Sequence, residues 1–431
     1  MGALGTASCG WLPALAKEIA PAAAKERRHC VLLWMTGGAS QIDTFDMKPG
    51  HKNGGEFKEI STASPGLRFC EHLPKLAAHG KELAVVRSVT TKEGDHGRGT
   101  YLMRTGHLPM GPIPYPTLGS SLARHLGSLD DDLPSYVSIT PYRAFNPQAY
   151  APGFLGPKFA PLTVAAMDNF QQQPMNPNAA SDYARLAVDD LGPPGEASRL
   201  DGRRELWRSL QSSFVEQHPA GAAVAHDTVY QRALRLMSSS ASAAFDLEQE
   251  PARVREAYGK GRFGQGCLMA RRLIERGVPF VEVTLGSVGA GGFGWDTHQN
   301  NFRQVKSLCE ELDAGWSNLI TDLKQRGLLE QTTFLWMGEF GRTPIINPGA
   351  GRDHFPAAWS VVFGGAGIRG GQAYGKTSDD GMKIDEEQAE VGDVLATLCA
   401  ALGLSTEATN MSEMGRPIKL AEGKPIREIL S

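Results

Sequence analysis

Cysteine is scarce and scattered. The six residues Cys9, Cys30, Cys70, Cys267, Cys309 and Cys399 never form a CxxC pair in 431 residues, so neither a thiolate zinc site nor a dense disulfide framework is indicated. A surplus of one charge sign is also missing. Lys and Arg total 44 against 47 Asp and Glu, a formal net charge of −3, and no dense basic tract appears, so nothing argues for nucleic-acid binding. A small anionic substrate would have to be held by local groups. There is no run of about 18 apolar residues, so no stable membrane span is expected. No fixed-period repeat is present either.

What is present begins with a largely apolar stretch, Ala3 to Leu15, broken by Gly and Pro and followed by alanine-rich sequence to Ala24. It resembles the apolar region and small-residue end of an export signal without the charged start. Residues 1–28 are therefore expected to be the remnant of an export signal, with a basic, twin-arginine segment upstream, or else a disordered tail. On the first reading the protein is periplasmic or otherwise exported.

From His29 onward the pattern is that of an α/β protein. Apolar runs of strand length lie at His29 to Met35, Leu83 to Val89, Tyr136 to Thr140, Pro279 to Leu285, Thr332 to Met337 and Trp359 to Phe363. Between them, Phe302, Val305, Leu308, Leu312, Trp316, Leu319 and Leu323 step by three or four, the stripe of a helix lying on a sheet. Leu118 to Leu126 and Val394 to Leu402 also read as helical. Asn146 to Asn178 is rich in Pro, Gly, Asn and Gln and reads as an extended surface loop. Residues of about 180–277 carry several helical patterns (Arg203 to Glu216, Val224 to Met237, Pro251 to Tyr258, Gly264 to Gly277) and are expected to form a helical insertion in a domain of residues 29–431. Strands and helices alternating over long connections predict a mostly parallel, doubly wound sheet.

The chemistry gathers in Gly-rich turns at the ends of these elements, where open α/β sheets place ligand sites. Gly294-Trp295-Asp296-Thr297-His298 holds a carboxylate and an imidazole one residue apart, a pair suited to zinc, manganese or iron over calcium, or to a structural hydrogen bond. Gly351-Arg352-Asp353-His354 holds a second such pair, in which one member can be a ligand and its neighbour the group that orients it. Glu339 stands at the mouth of an apolar strand, where a carboxylate is costly unless paired with Arg342 or a metal. His96, in the loop Asp95-His96-Gly97-Arg98, is a candidate nucleophile, acid/base or ligand. Arg98, Arg342 and Arg352 are candidates for gripping a phosphate or sulfate. Gly365-Ala366-Gly367-Ile368-Arg369-Gly370 matches a dinucleotide-binding pattern, but the further glycines Gly371 and Gly375 argue against the helix that reading needs. Gly38-Ala39-Ser40-Gln41-Ile42 lacks the last glycine of a nucleophile elbow.

Taken in order, Trp34 to Asp46, His96-Gly97-Arg98-Gly99, Trp295-Asp296-Thr297-His298, Gly338-Glu339-Phe340-Gly341-Arg342-Thr343-Pro344 and Gly351-Arg352-Asp353-His354 resemble the bacterial family called domain of unknown function 1501, placed in the alkaline phosphatase and sulfatase superfamily. The resemblance implies a three-layer α/β/α sandwich and metal-assisted hydrolysis of sulfate or phosphate esters. It puts His96 at the nucleophile position, Gly37-Gly38 where Asp-Gly is usual, and Glu339-Phe340 in place of Asp-His. What the resemblance leaves is one divalent cation (zinc, manganese or calcium) held by Asp296, His298 and His354 with Glu339 close by, and Asp43 or Asp46 standing in for the missing carboxylate. His96, Arg98 and Arg342 would then be the catalytic residues, acting on a small anionic ester. The alternative function is a superfamily member whose site has decayed into a binding or scaffold module.

Overall fold

The apolar heptapeptide His29–Met35 (β1) is buried along its whole length and occupies the middle of the sheet. In this computed structural model the described residues are 28–166, 183–188, 191, 202, 205–207, 209–212, 216, 221–288 and 293–431. Residues 1–27 of the expected export-signal remnant therefore lie outside the described residues, as do residues 203–204, 208 and 213–215 of the helix expected at Arg203 to Glu216, whose described residues are helical.

Eight further strands join β1: β2 (Leu83–Thr90), β3 (Tyr136–Ile139), β4 (Leu162–Val164), β5 (Phe280–Leu285), β6 (Thr332–Met337), β7 (Trp359–Gly365), β8 (Gln372–Tyr374) and β9 (Ala389–Glu390). Their order is β8-β2-β7-β6-β1-β5-β3-β4, with β9 also on β2. Every pairing is parallel except those of β7, which runs against β2 and β6.

Alternate residues of β1 build two cores, as a strand buried on both faces requires. Val31, Leu33 and Met35 face α4 (Arg262–Glu275) and α5 (Asn301–Gln325) through Leu268, Leu273, Leu308, Leu312 and Trp316. Cys30, Leu32 and Trp34 face α1 (His96–Thr105), α2 (Leu118–Leu126) and α6 (Val391–Ala401) through Met103, Leu122, Val394 and Leu398. The result is the expected three-layer α/β/α arrangement. The stretch 180–277 divides on its described residues. The helix α3 (Gly221–Ser238) packs near Pro157–Phe159, whereas α4 belongs to the sheet-covering layer itself.

Three features were not anticipated. β4 lies inside the stretch read as loop, and β8 and β9 were not foreseen; elements of two or three residues carry too little alternation to register as strands. The third bears on the site. His96 is the first residue of a helix, with the Asp95 side chain accepting the Arg98 N–H at 2.9 Å. Its glycines, read as loop signals, answer to packing instead. A Cβ on Gly97 would sit 2.8 Å from the Phe145 carbonyl oxygen, and one on Gly99 would lie 3.2 Å from the Phe340 ring. α1 is tied to the sheet by the fully buried Arg104, which donates to Glu282 of β5 at 3.0 and 2.5 Å while Tyr136 donates to the same carboxylate at 2.8 Å.

Candidate metal centre

The carboxyl ends of β1, β5 and β6 open into three turns that meet. After β1, Gly37 and Gly38 take φ of +101° and +79°, and a Cβ on Gly37 would come within 2.4 Å of the Asp296 nitrogen. Only glycine allows that approach. A side-chain carboxylate at position 37 is therefore incompatible with this backbone. After β6, the fully buried Glu339 turns inward, its Oε1 accepting the Gly37 N–H at 2.8 Å and the His96 ring Nδ1–H at 2.7 Å. A short antiparallel ribbon, Gly341–Arg342 with His354–Phe355, then brings His354 across the turn.

Asp296 is the hub. Its Oδ1 lies 3.3 Å from His96 Nε2, 3.2 Å from His354 Nε2 and 3.0 Å from His298 Nε2. His96, Asp296 and His354 each offer one ligand atom within 4.8 Å of the others, the single such group among the described residues. His298 Nε2 lies 3.0 Å from His354 Nε2.

Each imidazole is fixed at its other nitrogen. His96 Nδ1 meets Glu339, His298 Nδ1 meets Asp353 Oδ1 at 2.8 Å, and His354 Nδ1 meets the Gly94 carbonyl at 2.7 Å. Oxygen acceptors at Nδ1 assign the proton there, so each ring, once it carries no second proton, presents a lone pair at Nε2. Lone pairs converging on a carboxylate oxygen repel one another unless positive charge lies between them. His96 Nε2 is moreover buried without a hydrogen-bond partner, 3.3 Å from Asp296 Oδ1. The donor set thus fits a divalent cation.

Burial opposes charge on Asp296, but His354, His96 and Arg342 together hold it well below the usual carboxylate range. Burial likewise opposes an imidazolium at His96, yet the Asp296 and Glu339 carboxylates lift it to about 9. Arg342 is buried and supports this turn. Its Nη2 donates to Asp296 Oδ1 at 2.5 Å and to the Gly37 carbonyl, and its Nε donates to the Gly38 carbonyl at 3.1 Å. Phe145 stacks on the His96 ring at 4.3 Å with planes 8° apart.

Of the residues singled out from sequence, His96, Asp296, His298, Glu339, Arg342 and His354 come together. Asp43, Asp46 and Arg98 do not join them. Asp43 is fully buried and engaged on both oxygens by Arg352, at 2.7 and 2.9 Å, and on Oδ2 also by Ser40 and Asn301. Asp46 meets Thr377, Lys48 and Arg87. Arg98 makes a two-pronged pair with Glu93 at 2.6 and 2.8 Å on the surface. Arg352, read as a possible oxyanion grip, is likewise closed off in the Asp43 pair. Phe145 and the Gly94 carbonyl were not foreseen: a backbone oxygen carries no residue signature, and a stacked Phe looks like any apolar residue in a loop.

The family described as "Protein of unknown function (DUF1501)" matches residues 27–430. The chain belongs to that family. No curated protein matches this DUF1501 chain. Among solved structures it is similar to the PsFucS1 sulfatase from Pseudoalteromonas sp., at 12% identity over 92% of this chain and 71% of that one with a TM-score of 0.40. It is similar to Ps i-CgsB in complex with k-i-k-neocarrahexaose, at 9% identity over 88% and 73% of the two chains with a TM-score of 0.41. A third is alkaline phosphatase from the Antarctic bacterium TAB5, at 12% identity over 83% and 96% with a TM-score of 0.34.

Proposed function

We propose that this DUF1501 protein is an exported hydrolase of a sulfate or phosphate ester that uses one divalent metal ion. The observation that carries the reading is the convergence of three Nε2 atoms on Asp296 Oδ1 while every Nδ1 is held by an oxygen. Asp296, His96, His298 and His354 would hold the ion; imidazoles in this number favour zinc or manganese over calcium, which prefers oxygen ligands. Such an ion, when bound, polarises the ester oxygens as a Lewis acid.

The chain's own residues do the rest. Glu339, Asp353 and the Gly94 carbonyl keep the rings in the ligating tautomer. Arg342 holds the Asp296 carboxylate and the Gly37-Gly38 turn in register. His298, with 43% of its side chain exposed, and His354, with 26%, leave one side of the cluster open to a small substrate. The placement of the family that the motifs resemble in the alkaline phosphatase and sulfatase superfamily supports ester chemistry, and the apolar N-terminal stretch supports export. Among the described residues no helix is long and apolar enough to cross a membrane.

The test is metal analysis of purified protein alongside the double variant Asp296→Ala, His354→Ala, with turnover of p-nitrophenyl sulfate and p-nitrophenyl phosphate measured with added zinc or manganese. About one metal per wild-type chain, lost in the variant together with turnover, is the expected result. Absence of metal from wild type after loading removes the mechanism. Tight metal binding without turnover of either ester would favour a binding or scaffold role instead.

A further inference from the structure

The meeting of His96 with Asp296 is prepared about 12 Å away, at the other end of α1. We propose that Arg104 is a positioning residue for the metal centre: through its buried pair with Glu282 it fixes where over the sheet α1 carries the His96 ring. The role rests on the metal-centre reading above, because the placement of that ring bears on function only if the ring ligates the ion.

Arg104 is 1% exposed, and every nitrogen of its guanidinium is used. Nη1 and Nη2 donate to Glu282 of β5 at 3.0 and 2.5 Å, Nη2 also meets the Tyr136 hydroxyl at 3.3 Å, and Nε donates to the Ala149 carbonyl at 3.0 Å. The guanidinium lies 3.8 Å from the centre of the Tyr150 ring and 5.1 Å from that of Trp34 in β1.

These contacts reach both neighbours of the His96 ring. Three residues beyond Glu282, the Leu285 carbonyl accepts the Thr36 N–H at 3.3 Å, and the Thr36 carbonyl accepts the N–H of Trp295, next to Asp296, at 2.9 Å. Glu282 therefore belongs to the strand whose end holds the Asp296 turn. On the other side, the Ala149 and Tyr150 contacts hold the turn Pro147–Tyr150. Just before it, Asn146 donates to the Gly97 carbonyl at 3.0 Å and Phe145 stacks on the His96 ring at 4.3 Å. One guanidinium ties together the helix that carries His96, the strand behind Asp296 and the segment that covers the ring.

The energetics favour placement over stability as its role. Burying a guanidinium and a carboxylate costs about what their attraction returns, and apolar residues of the same volume often serve the fold as well or better. What an apolar set lacks is direction. A two-pronged bond from Arg to a carboxylate is satisfied in one register only, whereas apolar side chains let a helix shift over a sheet at little cost. Displacements of that kind are enough to weaken a metal ligand.

The test replaces the polar set by apolar residues of similar size, Arg104→Met with Glu282→Leu and Tyr136→Phe, and makes the charge-conserving Arg104→Lys beside it. Histidine ring protons are followed by NMR in the metal-free, histidine-labelled full chain. The His96 signals are those missing from His96→Gln, and Phe145→Leu shows where they fall once the stacked ring no longer shifts them. Zinc affinity is measured by chelator competition. The triple variant is expected to keep its fold, to move the His96 signals toward their Phe145→Leu positions, and to bind zinc at least about tenfold more weakly. Arg104→Lys, which keeps the charge and loses the fork, is expected to fall between it and wild type. His96 signals unmoved in the triple variant overturn the role of Arg104, and if that variant fails to fold, unmoved signals in Arg104→Lys do so. Moved signals with undiminished zinc affinity also overturn it, since a displaced ligand costs affinity. Each of these results leaves wild-type zinc binding, and with it the hydrolase reading, in place; a wild-type chain that binds no zinc removes both.

Discussion

His298 and His354 face each other Nε2 to Nε2 at 3.0 Å, although each ring already gives its Nδ1–H to an oxygen, Asp353 in one case and the Gly94 carbonyl in the other. Two neutral rings in that state present lone pair to lone pair. A proton on either Nε2 or a shared cation relieves that contact, and the Asp296 carboxylate 3.2 Å from His354 Nε2 suits a metal ion. Four consequences follow that separate this account from a merely polar surface cleft.

Asp353 acts through His298. Its side chain is 58% exposed, so Asp353→Asn is expected to leave thermal stability nearly unchanged while weakening zinc or manganese binding by about 10- to 100-fold, the usual cost of removing the carboxylate behind a ligating histidine. Competition against a chromophoric chelator measures it. Equal affinity in variant and wild type would mean that His298 is not a ligand.

Metal affinity is expected to rise with pH. In the metal-free protein His96 holds its proton up to about 9, and the ion needs that nitrogen's lone pair, so below that pH each unit of acidification should cost about tenfold in apparent affinity through this group alone. The metal-free fold has the opposite slope. Because the folded value lies above the ordinary 6.5, the stabilisation from the His96 proton is fully present below about 6.5 and is lost as pH rises through about 9. Calorimetry in buffers of different ionisation enthalpy reports the proton released on binding, and denaturant curves of the metal-free chain report the rest. A flat affinity from neutral to alkaline pH would contradict the ligand role.

Placing a carboxylate at position 37, where the superfamily resemblance would have one, should fail. Gly37→Asp places a side chain at φ +101° and a Cβ 2.4 Å from the Asp296 nitrogen, so a loss of at least about 2 kcal/mol is expected from the backbone strain and the displaced Asp296 turn. Urea denaturation and metal content give the answer. A stable variant with tighter metal binding would show that the turn can open to admit a second carboxylate.

Asp43 and Arg352 are both fully buried and joined by two hydrogen bonds. Asp43→Asn leaves the guanidinium without its counter-charge, at an expected cost of about 3–5 kcal/mol, readable in denaturant unfolding. A variant that kept its stability but lost its metal would instead return Asp43 to the ligand set.

The strands β1 and β6 and the long helix α5 were legible because their signals are local. Seven successive apolar residues, or an apolar stripe at helical spacing, report burial wherever the rest of the chain goes. The turns holding Asp296, His298, Glu339 and His354 were legible for a related reason: costly groups stand there beside glycines at the ends of apolar elements. Asp43 and Arg98 looked equally chemical in sequence, and nothing local reveals that one is locked to Arg352, 309 residues away, and the other to Glu93.

By itself the sequence determined the α/β class, the alternation of layers and the short list of side chains with metal-binding chemistry, because each of these depends on residue type and near-neighbour spacing. Tertiary structure alone decided which of them meet, which ring nitrogen each histidine turns toward Asp296, and that His96 enters as the first residue of a helix with Nδ1 held by Glu339 and Nε2 buried beside Asp296. Those outcomes depend on distances between segments hundreds of residues apart and on single backbone oxygens such as that of Gly94, and neither quantity is written in the identity of any one residue.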